Sequence, residues 1–497
     1  MRNSAFLRQG SLSSHMLYSK VQVLIGLMRL LGDDSSVRAL DLELSGSATK
    51  NRHQNHELHQ SNKKDNEKMH TLKKSLLLAA LAAASALASI LPAEADPILK
   101  DGERLAIAGD SITEQRQYTN IMESYILLCS GLKDVKVFQF GWSGETAGGF
   151  ANRMDNDVMG WKPTLITTCY GMNDGTYRAY EEKIGASYRQ NMEKIVNFFK
   201  EKGVKVIVGT PGVVDTKTYG TRNNATSEDY NKNLEQLAQI DKSIAEANAC
   251  TFADLHSIMM DTMLKAKAAL GENYAVAGGD GIHPGPNGHL VMAYAFLKSM
   301  GFDGNIALIE MDWNGKATAS EGHKVLASTQ GNLELESSRY PFCFADNSPA
   351  ITILPYVNFQ QDLNRFVLKV KNLPSKNAEL TWGDAKKTFS REELEKGVNL
   401  ANEFLKNPFS AQFAKGTSAI AAKQNIETRI IRNFITQIKP QIKSYNDIFN
   451  GDADAKEAAE ALNHLKGKLL AKQAQFDAKL REEIIPIKHT IKVSPIQ

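Results

Sequence analysis

The sequence predicts an α/β domain with a five-stranded, doubly wound parallel sheet, followed by a small β-rich module and a C-terminal helical hairpin. Three features of the pattern support this fold class. After Ala95, short apolar runs alternate with amphipathic segments, which is typical of a parallel sheet covered by helices. Strand-like runs dominate after about Gly301, and apolar residues recur at helical spacing after Gly397. We expect the three segments at residues 96–305, 306–396 and 397–497.

The composition indicates a globular protein. The chain has 497 residues, of which 42% are hydrophobic and 23% charged, and its mean hydropathy is −0.33. At roughly 150 residues per domain, this length suggests two or three domains. These values exclude a collagen, a wholly disordered chain and a polytopic membrane protein.

Cysteine usage argues against a disulfide framework and against a zinc ribbon. The sequence has four widely spaced cysteines and no CxxC pair. At most one or two isolated bridges could form among Cys129, Cys169, Cys250 and Cys343.

The net charge of +3 comes from the N-terminal part of the sequence. Residues 1–95 carry 12 Lys and Arg against 8 Asp and Glu, whereas the rest carries 47 against 48. A nearly neutral body gives no electrostatic reason to expect nucleic acid or an anionic membrane as a partner.

A secretory signal is predicted at residues 69–95. Lys73 and Lys74 form a positive n-region, an apolar run covers 76–91, and Ala93-Glu94-Ala95 matches an A-x-A cleavage site. The apolar run is shorter than the roughly 20 residues that a bilayer span needs. A buried N-terminal helix is the alternative. We expect export to the periplasm or outside the cell, with no integral membrane span after cleavage.

A signal peptide begins at the amino terminus, so Met69 is expected to be the true start. Residues 1–68 would then be a start-site artefact, or disordered if they are made, because their stretch at 50–68 is rich in His, Asn and Lys.

The first segment of the mature chain contains five candidate strands separated by amphipathic helices. The strands are expected at 104–108, 135–140, 165–170, 204–209 and 250–254. The helices are expected at 188–202, 227–249 and 288–300. In doubly wound sheets, functional residues gather in the loops at the carboxyl ends of the strands.

The remaining segments differ in texture. Strand-like runs of the β-rich module lie at 324–327, 333–344, 351–357, 366–370 and 379–382. Two apolar stripes then follow at helical spacing, between Ile420 and Ile438 and between Leu462 and Leu480, with residues 451–454 as their connection. The stripes are too short to assign a coiled coil, so we interpret them as an antiparallel hairpin packed on the body.

The most informative motif is Gly109-Asp110-Ser111, which follows the first predicted strand and precedes a polar helix start. This places the Ser111 hydroxyl at a helix N-terminus, where backbone N–H groups point at a bound anion, as a catalytic nucleophile requires. The same Asp-Ser pair is an equally good helix N-cap. On these residues alone, both interpretations stay open.

A candidate base lies in Asp280-Gly281-Ile282-His283-Pro284. Gly281 allows a bend, so Asp280 can reach His283 Nδ1 and leave Nε2 for the serine. Against this, Asp-Gly is a common turn dipeptide, and a lone histidine is usually structural.

Two further polar segments close the second and third predicted strands. Gly144 and Asn173 offer a backbone N–H and a side-chain amide, which are donors suited to an oxyanion. Ser143 is a poor nucleophile candidate, because residue 145 is Glu where a G-x-S-x-G elbow requires Gly. Asn173 could equally be a turn former.

Taken in order, these four segments resemble the four blocks of the SGNH (GDSL-type) hydrolases over residues 104–300, with Ile112 in place of the family's Leu. The resemblance implies a three-layer α/β/α sandwich and no metal or organic cofactor. It implies Ser111 as the nucleophile, with Asp280 and His283 completing a triad. It also implies an oxyanion hole made by Gly144, Asn173 and the backbone N–H of Ser111.

The resemblance and the predicted signal peptide together imply an exported serine esterase that works through an acyl-enzyme. Export, a neutral body and an appended β-rich module favour short acyl esters of carbohydrate as substrates. The alternatives are a lysophospholipid or short-chain lipid esterase and an inactive secreted binding protein. No partner is predicted for the C-terminal helices. His289 is expected to be structural, and His256 is expected to border the cleft.

Overall fold

A computed structural model describes residues 97–496. The predicted signal peptide and the segment before it lie outside the described residues.

A five-stranded parallel sheet, in the order β2-β1-β3-β4-β7, forms the centre of the N-terminal half of the described chain. A short hairpin of β5 and β6 lies outside this sheet. The strands are β1 (Arg104–Gly109), β2 (Lys136–Gln139), β3 (Leu165–Cys169), β4 (Lys205–Gly209), β5 (Thr221–Arg222), β6 (Ala225–Thr226) and β7 (Thr251–Ala253). From β1 the chain adds β2 on one side of the sheet and then β3, β4 and β7 on the other, so the strand order changes direction between β1 and β3. Ligands bind at this position in doubly wound folds.

Helices cover both faces of this sheet. They are α1 (Ser111–Glu114), α2 (Gln117–Ser124), α3 (Ala147–Val158), α4 (Glu182–Glu201), α5 (Ser227–Ala247), α6 (Leu255–Leu270) and α7 (Pro286–Ser299). Alternate residues of β1 face opposite layers, as a strand dictates. Leu105 and Ile107 join the core that includes α2, α6 and α7, whereas Ala106 and Ala108 join the core that includes α3, α4 and α5. The predicted three-layer α/β/α sandwich is therefore confirmed.

The carboxyl ends of the parallel strands lie level with one another. Gly109 at the end of β1 is opposite Cys169 at the end of β3, which is opposite Gly209 in β4. The loops that follow these strands consequently meet at one edge of the sheet.

Two further sheets make up the β-rich part of the chain. One has the order β10-β11-β16-β13-β14 and the other β15-β12-β8-β9. Their strands are β8 (Asn305–Asp312), β9 (Lys316–Ala319), β10 (His323–Thr329), β11 (Asn332–Ser337), β12 (Arg365–Lys371), β13 (Asn377–Trp382), β14 (Ala385–Ser390), β15 (Val398–Asn399) and β16 (Ile487–Ile496). Short helices α8 (Phe359–Asp362), α9 (Arg391–Lys396) and α10 (Leu400–Glu403) connect them.

One predicted strand of this region is wrong. The apolar run at 351–357 lies mainly in a 3₁₀ helix, Pro349–Tyr356. Pro349 occupies the first turn, and the Ser348 hydroxyl accepts a hydrogen bond from the backbone N–H of Ala350 at 3.3 Å. Pro355 lacks a donor for a sheet ladder, so the run is better suited to this helix than to a strand.

The C-terminal helices form the predicted hairpin. Helix α11 (Ser410–Ile430) continues through a π-helical turn, Ile431–Ile435, into α12 (Thr436–Ile448), and α13 (Ala453–Glu482) returns. Asp452 caps α13, since its carboxylate accepts hydrogen bonds from the N–H groups of Asp454 and Ala455. The last strand, β16, was not predicted within 397–497, and it inserts between β11 and β13. The β-rich and helical segments therefore share a sheet.

Within residues 97–496, no helix combines the length and apolarity needed to cross a membrane.

Candidate active site

The turn after β1 places Ser111 at the first position of α1. Asp110 caps this helix, because its Oδ1 accepts a hydrogen bond from the Ile112 N–H at 2.9 Å. A side chain at Gly109 would place its Cβ 2.1 Å from Thr113 Oγ1 and 2.9 Å from the Cys169 carbonyl oxygen. The tight turn therefore requires glycine, and it leaves the Ser111 hydroxyl at the carboxyl edge of the sheet.

A continuous hydrogen-bond chain connects Ser111, His283 and Asp280. Ser111 Oγ lies 2.8 Å from His283 Nε2, and His283 Nδ1 lies 2.7 Å from Asp280 Oδ2. Because a carboxylate only accepts, Nδ1 carries the proton, and Nε2 is free to accept from the serine hydroxyl. The chain can therefore transfer a proton from Ser111 to the imidazole.

Asp280 is held in its ionised form. Partial burial raises its pKa, but hydrogen bonds from the His283 ring, the His283 N–H and the Ile282 N–H outweigh this effect and lower the pKa to about 2. The two backbone N–H groups donate to Oδ1 at 2.9 and 3.0 Å, which leaves Oδ2 for the imidazole. A fixed negative charge beside Nδ1 stabilises the imidazolium that forms when Nε2 is protonated.

The bend of this loop depends on Gly281. Its φ is +76°, and a Cβ there would lie 2.3 Å from the backbone nitrogen of Tyr219. The Gly281 carbonyl accepts a hydrogen bond from the Asp215 N–H at 2.9 Å, and Asp215 itself forms a buried ion pair with Lys267 at 3.0 Å. These contacts anchor the loop that carries Asp280 and His283.

The loop after β2 presents the backbone of Gly144 at the same edge. The Trp142 N–H donates to the carbonyl of Gly109 at 3.0 Å, and the Ser143 N–H donates to Glu114 Oε2 at 2.7 Å. Gly144 has φ +73°, and the position of its missing Cβ faces open space. This loop is therefore attached to both ends of the Ser111 turn.

Asn173 joins the loops that follow β1, β2 and β3. Its Nδ2 donates to the carbonyl of Glu145 at 3.0 Å and lies 3.5 Å from Asp110 Oδ2. The Tyr177 hydroxyl donates to Asn173 Oδ1 at 2.8 Å, which sets the orientation of the amide. Tyr177 follows Thr176, and both have positive φ (56° and 55°), which non-glycine residues rarely adopt.

Residues 107–291 match the family described as GDSL-like lipase/acylhydrolase. These residues form a domain of the GDSL-type (SGNH) hydrolases. It is accordingly a hydrolase of ester bonds. An acetylxylan esterase of Geobacillus stearothermophilus is 24% identical over 225 residues, which cover 41% of this chain and 95% of that protein.

The fold likeness extends beyond the GDSL domain. The structure of a gut microbial diltiazem-metabolizing enzyme superposes with a TM-score of 0.61 at 22% identity. The match covers 80% of this chain and 98% of that one, so it includes most of the β-rich and helical segments.

Asp174 is a site residue to which the sequence reasoning assigned no role. Its carboxylate accepts hydrogen bonds from the N–H groups of Ala147 and Gly171, at 3.0 and 3.1 Å, and so links the loops after β2 and β3. Burial raises its pKa to about 6. Asp174 follows Asn173 directly in the sequence, but its contact with Ala147 depends on the fold and has no signal in the sequence.

Asp110 and Glu145 add further buried acids behind the GDSL-domain site. Burial raises the pKa of Asp110 to about 7, and the nearby charges of Asp174 and Glu145 act in the same direction. Glu145 forms two hydrogen bonds with the Arg153 guanidinium, at 2.6 and 2.7 Å.

Of two cavities, the smaller borders Asn173 and the larger lies beside the end of α1. The smaller, of about 270 Å³, is lined by Ile184 and Tyr188 together with side chains that can form hydrogen bonds, including Thr146, Thr176, Lys183, Ser187 and Asn191. A groove of about 610 Å³ lies between the GDSL domain and the C-terminal segments. Its lining includes Gln115, Arg116, Pro286, Phe342, Phe344 and Phe413.

The other candidates from the sequence lie apart from the hydrogen-bond chain. His256 is buried, with Nδ1 at 3.0 Å from the Gly212 carbonyl oxygen. It lines a cavity other than the active-site cleft that it was expected to border. His289 is fully buried, with Nε2 at 2.8 Å from Gln115 Oε1, and burial lowers its pKa to about 3. Ser143 contacts the Ser111 helix only through its backbone N–H, which donates a hydrogen bond to Glu114 Oε2.

Neither a disulfide nor a cluster of metal ligands is found among residues 97–496. The four cysteines of the sequence, all within the described range, are free thiols. Among residues 97–496, no group of three or more His, Cys, Asp or Glu side chains could hold a metal ion.

Proposed function

We propose that Ser111, His283 and Asp280 are the catalytic triad of an esterase that releases short acyl groups through an acyl-enzyme. The observation that carries this proposal is the hydrogen-bond chain from Asp280 to Ser111, at 2.7 and 2.8 Å, at the switch point of the sheet. A serine, a base and a group that orients the base are the minimum that nucleophilic acyl transfer requires.

The reaction begins when Ser111 Oγ attacks the ester carbonyl carbon and His283 Nε2 takes the hydroxyl proton. The carbonyl oxygen becomes an oxyanion, which accepts hydrogen bonds from the N–H groups of Ser111 and Gly144 and from Asn173 Nδ2. The first N–H groups of a helix have no partner within the helix, so the Ser111 N–H is available at the start of α1. Asp280 stabilises the imidazolium throughout this step.

Collapse of the tetrahedral intermediate breaks the bond to the alcohol oxygen, which receives the proton from His283 Nε2. A water molecule then enters and gives a proton to the same nitrogen as it attacks the acyl carbon. The second intermediate collapses, the carboxylic acid leaves, and the proton returns to Ser111 Oγ. With the ester and one water molecule as reactants, these proton transfers balance both half-reactions.

An O-acetylated carbohydrate is the substrate class we favour. Its support is the likeness to an acetylxylan esterase, at 24% identity, and the hydrogen-bonding side chains that line the small cavity beside Asn173. Hydroxyl, amide and ammonium groups there, such as those of Thr146, Asn191 and Lys183, are suited to sugar hydroxyls. The predicted signal peptide would place such an enzyme with its substrate, outside the cytoplasm.

A short-chain lipid ester is the second candidate, and the larger groove favours it. Phe342, Phe344 and Phe413 give that groove an apolar side, close to α1 and the start of α7. An alcohol or acyl group with an apolar tail would be accommodated there better than a sugar.

The test is a comparison of substrates on wild type and Ser111→Ala. Activity on acetylated xylooligosaccharides, on p-nitrophenyl esters of increasing acyl length and on a lysophospholipid is measured with and without a serine-directed phosphonate. We expect the acetyl esters to be preferred and Ser111→Ala to lose several orders of magnitude in kcat. Ser143→Ala is the matched control, since it keeps the backbone N–H.

The substrate ranking also decides between the two candidates. Preference for the lysophospholipid or for long acyl chains would replace the carbohydrate assignment. Retained activity in Ser111→Ala, or phosphonate labelling of a different residue, would refute the triad itself.

A further inference from the structure

The side chain of Glu114 connects the nucleophile helix to the loop that carries Gly144. Glu114 is the last residue of α1, three positions after Ser111. Its Oε2 accepts a hydrogen bond from the Ser143 N–H at 2.7 Å. Ser143 directly precedes Gly144, so this contact bears on the direction of the Gly144 N–H.

The other oxygen of Glu114 is held from the C-terminal helices. Arg432 Nη1 donates to Glu114 Oε1 in an ion pair, although the two residues are far apart in sequence. The Arg432 guanidinium also lies 4.9 Å from the centre of the Trp142 ring, and that of Arg153 lies 5.0 Å from it. Guanidinium groups are attracted to the faces of aromatic rings at this distance. Arg432 thus contacts Glu114 of the Ser111 helix and Trp142 of the loop that carries Gly144.

The backbone around Arg432 is fixed to the GDSL domain. Arg432 lies in the π-helical turn Ile431–Ile435, whose Ile431 and Ile435 are buried. The Asn156 side chain donates to the Ile435 carbonyl at 2.8 Å, and the Thr436 hydroxyl donates to Asp157 at 2.6 Å. π-helical turns occur often at functional sites, and this one directs the Arg432 side chain to Glu114.

We propose that Arg432 is a positioning residue for the oxyanion hole, acting through Glu114 and Trp142 on the loop of Gly144. This inference rests on the proposed function, since it assigns the Gly144 N–H to the oxyanion. Without the guanidinium, the Glu114 carboxylate loses its cationic partner and is free to turn to solvent, and the Ser143 N–H loses a fixed acceptor. The C-terminal helices would then be part of the catalytic apparatus, outside the matched family region 107–291.

Kinetics of Arg432→Ala, measured on an acetyl ester, test the proposal. Loss of one oxyanion donor costs about 10²- to 10³-fold in kcat, so a misdirected donor should cost about 10-fold, with KM within about twofold of wild type. Arg432→Lys keeps the charge but not the planar group, so its kcat should lie between those of wild type and Arg432→Ala. Arg429→Ala is the control, because Arg429 is an exposed arginine on the preceding turn.

Two further measurements separate positioning from a general structural role. Labelling by a phosphonate, whose tetrahedral adduct uses the oxyanion hole, should slow in parallel with kcat. Glu114→Gln keeps an oxygen for the Ser143 N–H but removes the charge. In Glu114→Gln, the additional replacement Arg432→Ala should lower kcat by a smaller factor than Arg432→Ala does in wild type, because part of the effect of Arg432 passes through Glu114.

The outcomes distinguish this proposal from the proposed function. An active Ser111→Ala enzyme overturns the triad and the role of Arg432 together. If Ser111→Ala is inactive while Arg432→Ala and Glu114→Gln keep wild-type kcat, the positioning role alone is overturned. A loss confined to KM, or an equal loss in Arg429→Ala, also overturns it. If Arg432→Ala does not fold, Arg432→Lys and Glu114→Gln provide the decision.

Discussion

Lys423 of α11 lies 2.8 Å from Glu123 of α2, and both side chains are buried where the C-terminal helices contact the GDSL domain. Lys423 Nζ also donates to the Val137 carbonyl at 2.6 Å and pairs with Glu427 at 3.0 Å. Gln424 donates to Glu123 at 2.8 Å, and Gln473 of α13 donates to Glu427 at 2.7 Å. One lysine thus serves two buried carboxylates in a fully hydrogen-bonded cluster.

Removing the lysine should destabilise the protein strongly. In Lys423→Met, Glu123 and Glu427 stay buried without their cation, and breaking such a pair from one side typically costs about 3–5 kcal/mol. Thermal or urea unfolding measures the loss. Lys415→Met, at an exposed position of the same helix, is the control and should change little. Equal stability of the two variants would mean that the cluster contributes no more than a surface charge.

The excess of carboxylates in this cluster predicts a pH-dependent stability. Burial raises the pKa of Glu427 to about 7, with the charge of Glu123 acting in the same direction. The unfolded-state pKa of a glutamate is about 4.3, so Glu427 binds its proton more tightly in the folded state. This proton binding therefore contributes fully to the free energy of unfolding below about pH 4. It is lost as the pH rises through about 7.

Glu427→Gln should therefore raise the melting temperature relative to wild type at about pH 8, by about 2 °C or more, and change it little at about pH 4. Gln keeps an oxygen for Gln473 but carries no charge. Glu457→Gln, on an exposed part of α13, is the control for the loss of one negative charge. The same shift at both pH values, or a lower melting temperature near pH 8, would contradict the assignment.

Features encoded within a few residues were open to prediction from the sequence. The strand, the glycine turn and the helix cap around Ser111 are consecutive, and Asp280 is three residues from His283, so their hydrogen bonds are nearly local. The sheet and its two covering layers follow from the alternation of apolar runs with amphipathic segments. The catalytic roles of these residues stay a prediction.

Features that depend on distant segments were not predictable in this way. Strand β16 alternates buried His489, Ile491 and Val493 with exposed residues, but it pairs with strands more than a hundred positions earlier, which no local pattern specifies. The contact of Arg432 with Glu114 likewise has no signature in spacing. The strand predicted at 351–357 was wrong for a different reason. Apolar strands and short buried helices have similar compositions, and the prolines distinguish them here.

Asn173 offers a test of the oxyanion hole by side-chain replacement. Asn173→Ala removes the Nδ2 donor and should lower kcat by about 10²- to 10³-fold with little change in KM. Asn173→Asp should be at least as damaging, because it cannot donate and adds a carboxylate near Asp110 Oδ2, now 3.5 Å from Nδ2.

The matched control is Tyr177→Phe, which leaves the Asn173 amide in place but removes the hydroxyl that orients it at 2.8 Å. Its kcat should fall less than that of Asn173→Ala. If Asn173 were only a turn former, Asn173→Asp would stay active and Asn173→Ala would mainly lower the melting temperature.

The conformation of Gly281 predicts that even a methyl group there disrupts the base. Gly281→Ala has to accommodate φ +76° and a Cβ 2.3 Å from the Tyr219 backbone nitrogen, so the Asp280–His283 loop must move. The Ser111 Oγ to His283 Nε2 distance of 2.8 Å leaves no room for such a shift, since misplacement by about 1 Å can cost 10²-fold in rate.

Gly279→Ala is the control two residues earlier, where a Cβ meets nothing within 4 Å. We expect kcat to fall at least about 10²-fold in Gly281→Ala and to stay near wild type in Gly279→Ala. Equal kcat in the two variants would show that proton transfer does not depend on the position of this loop.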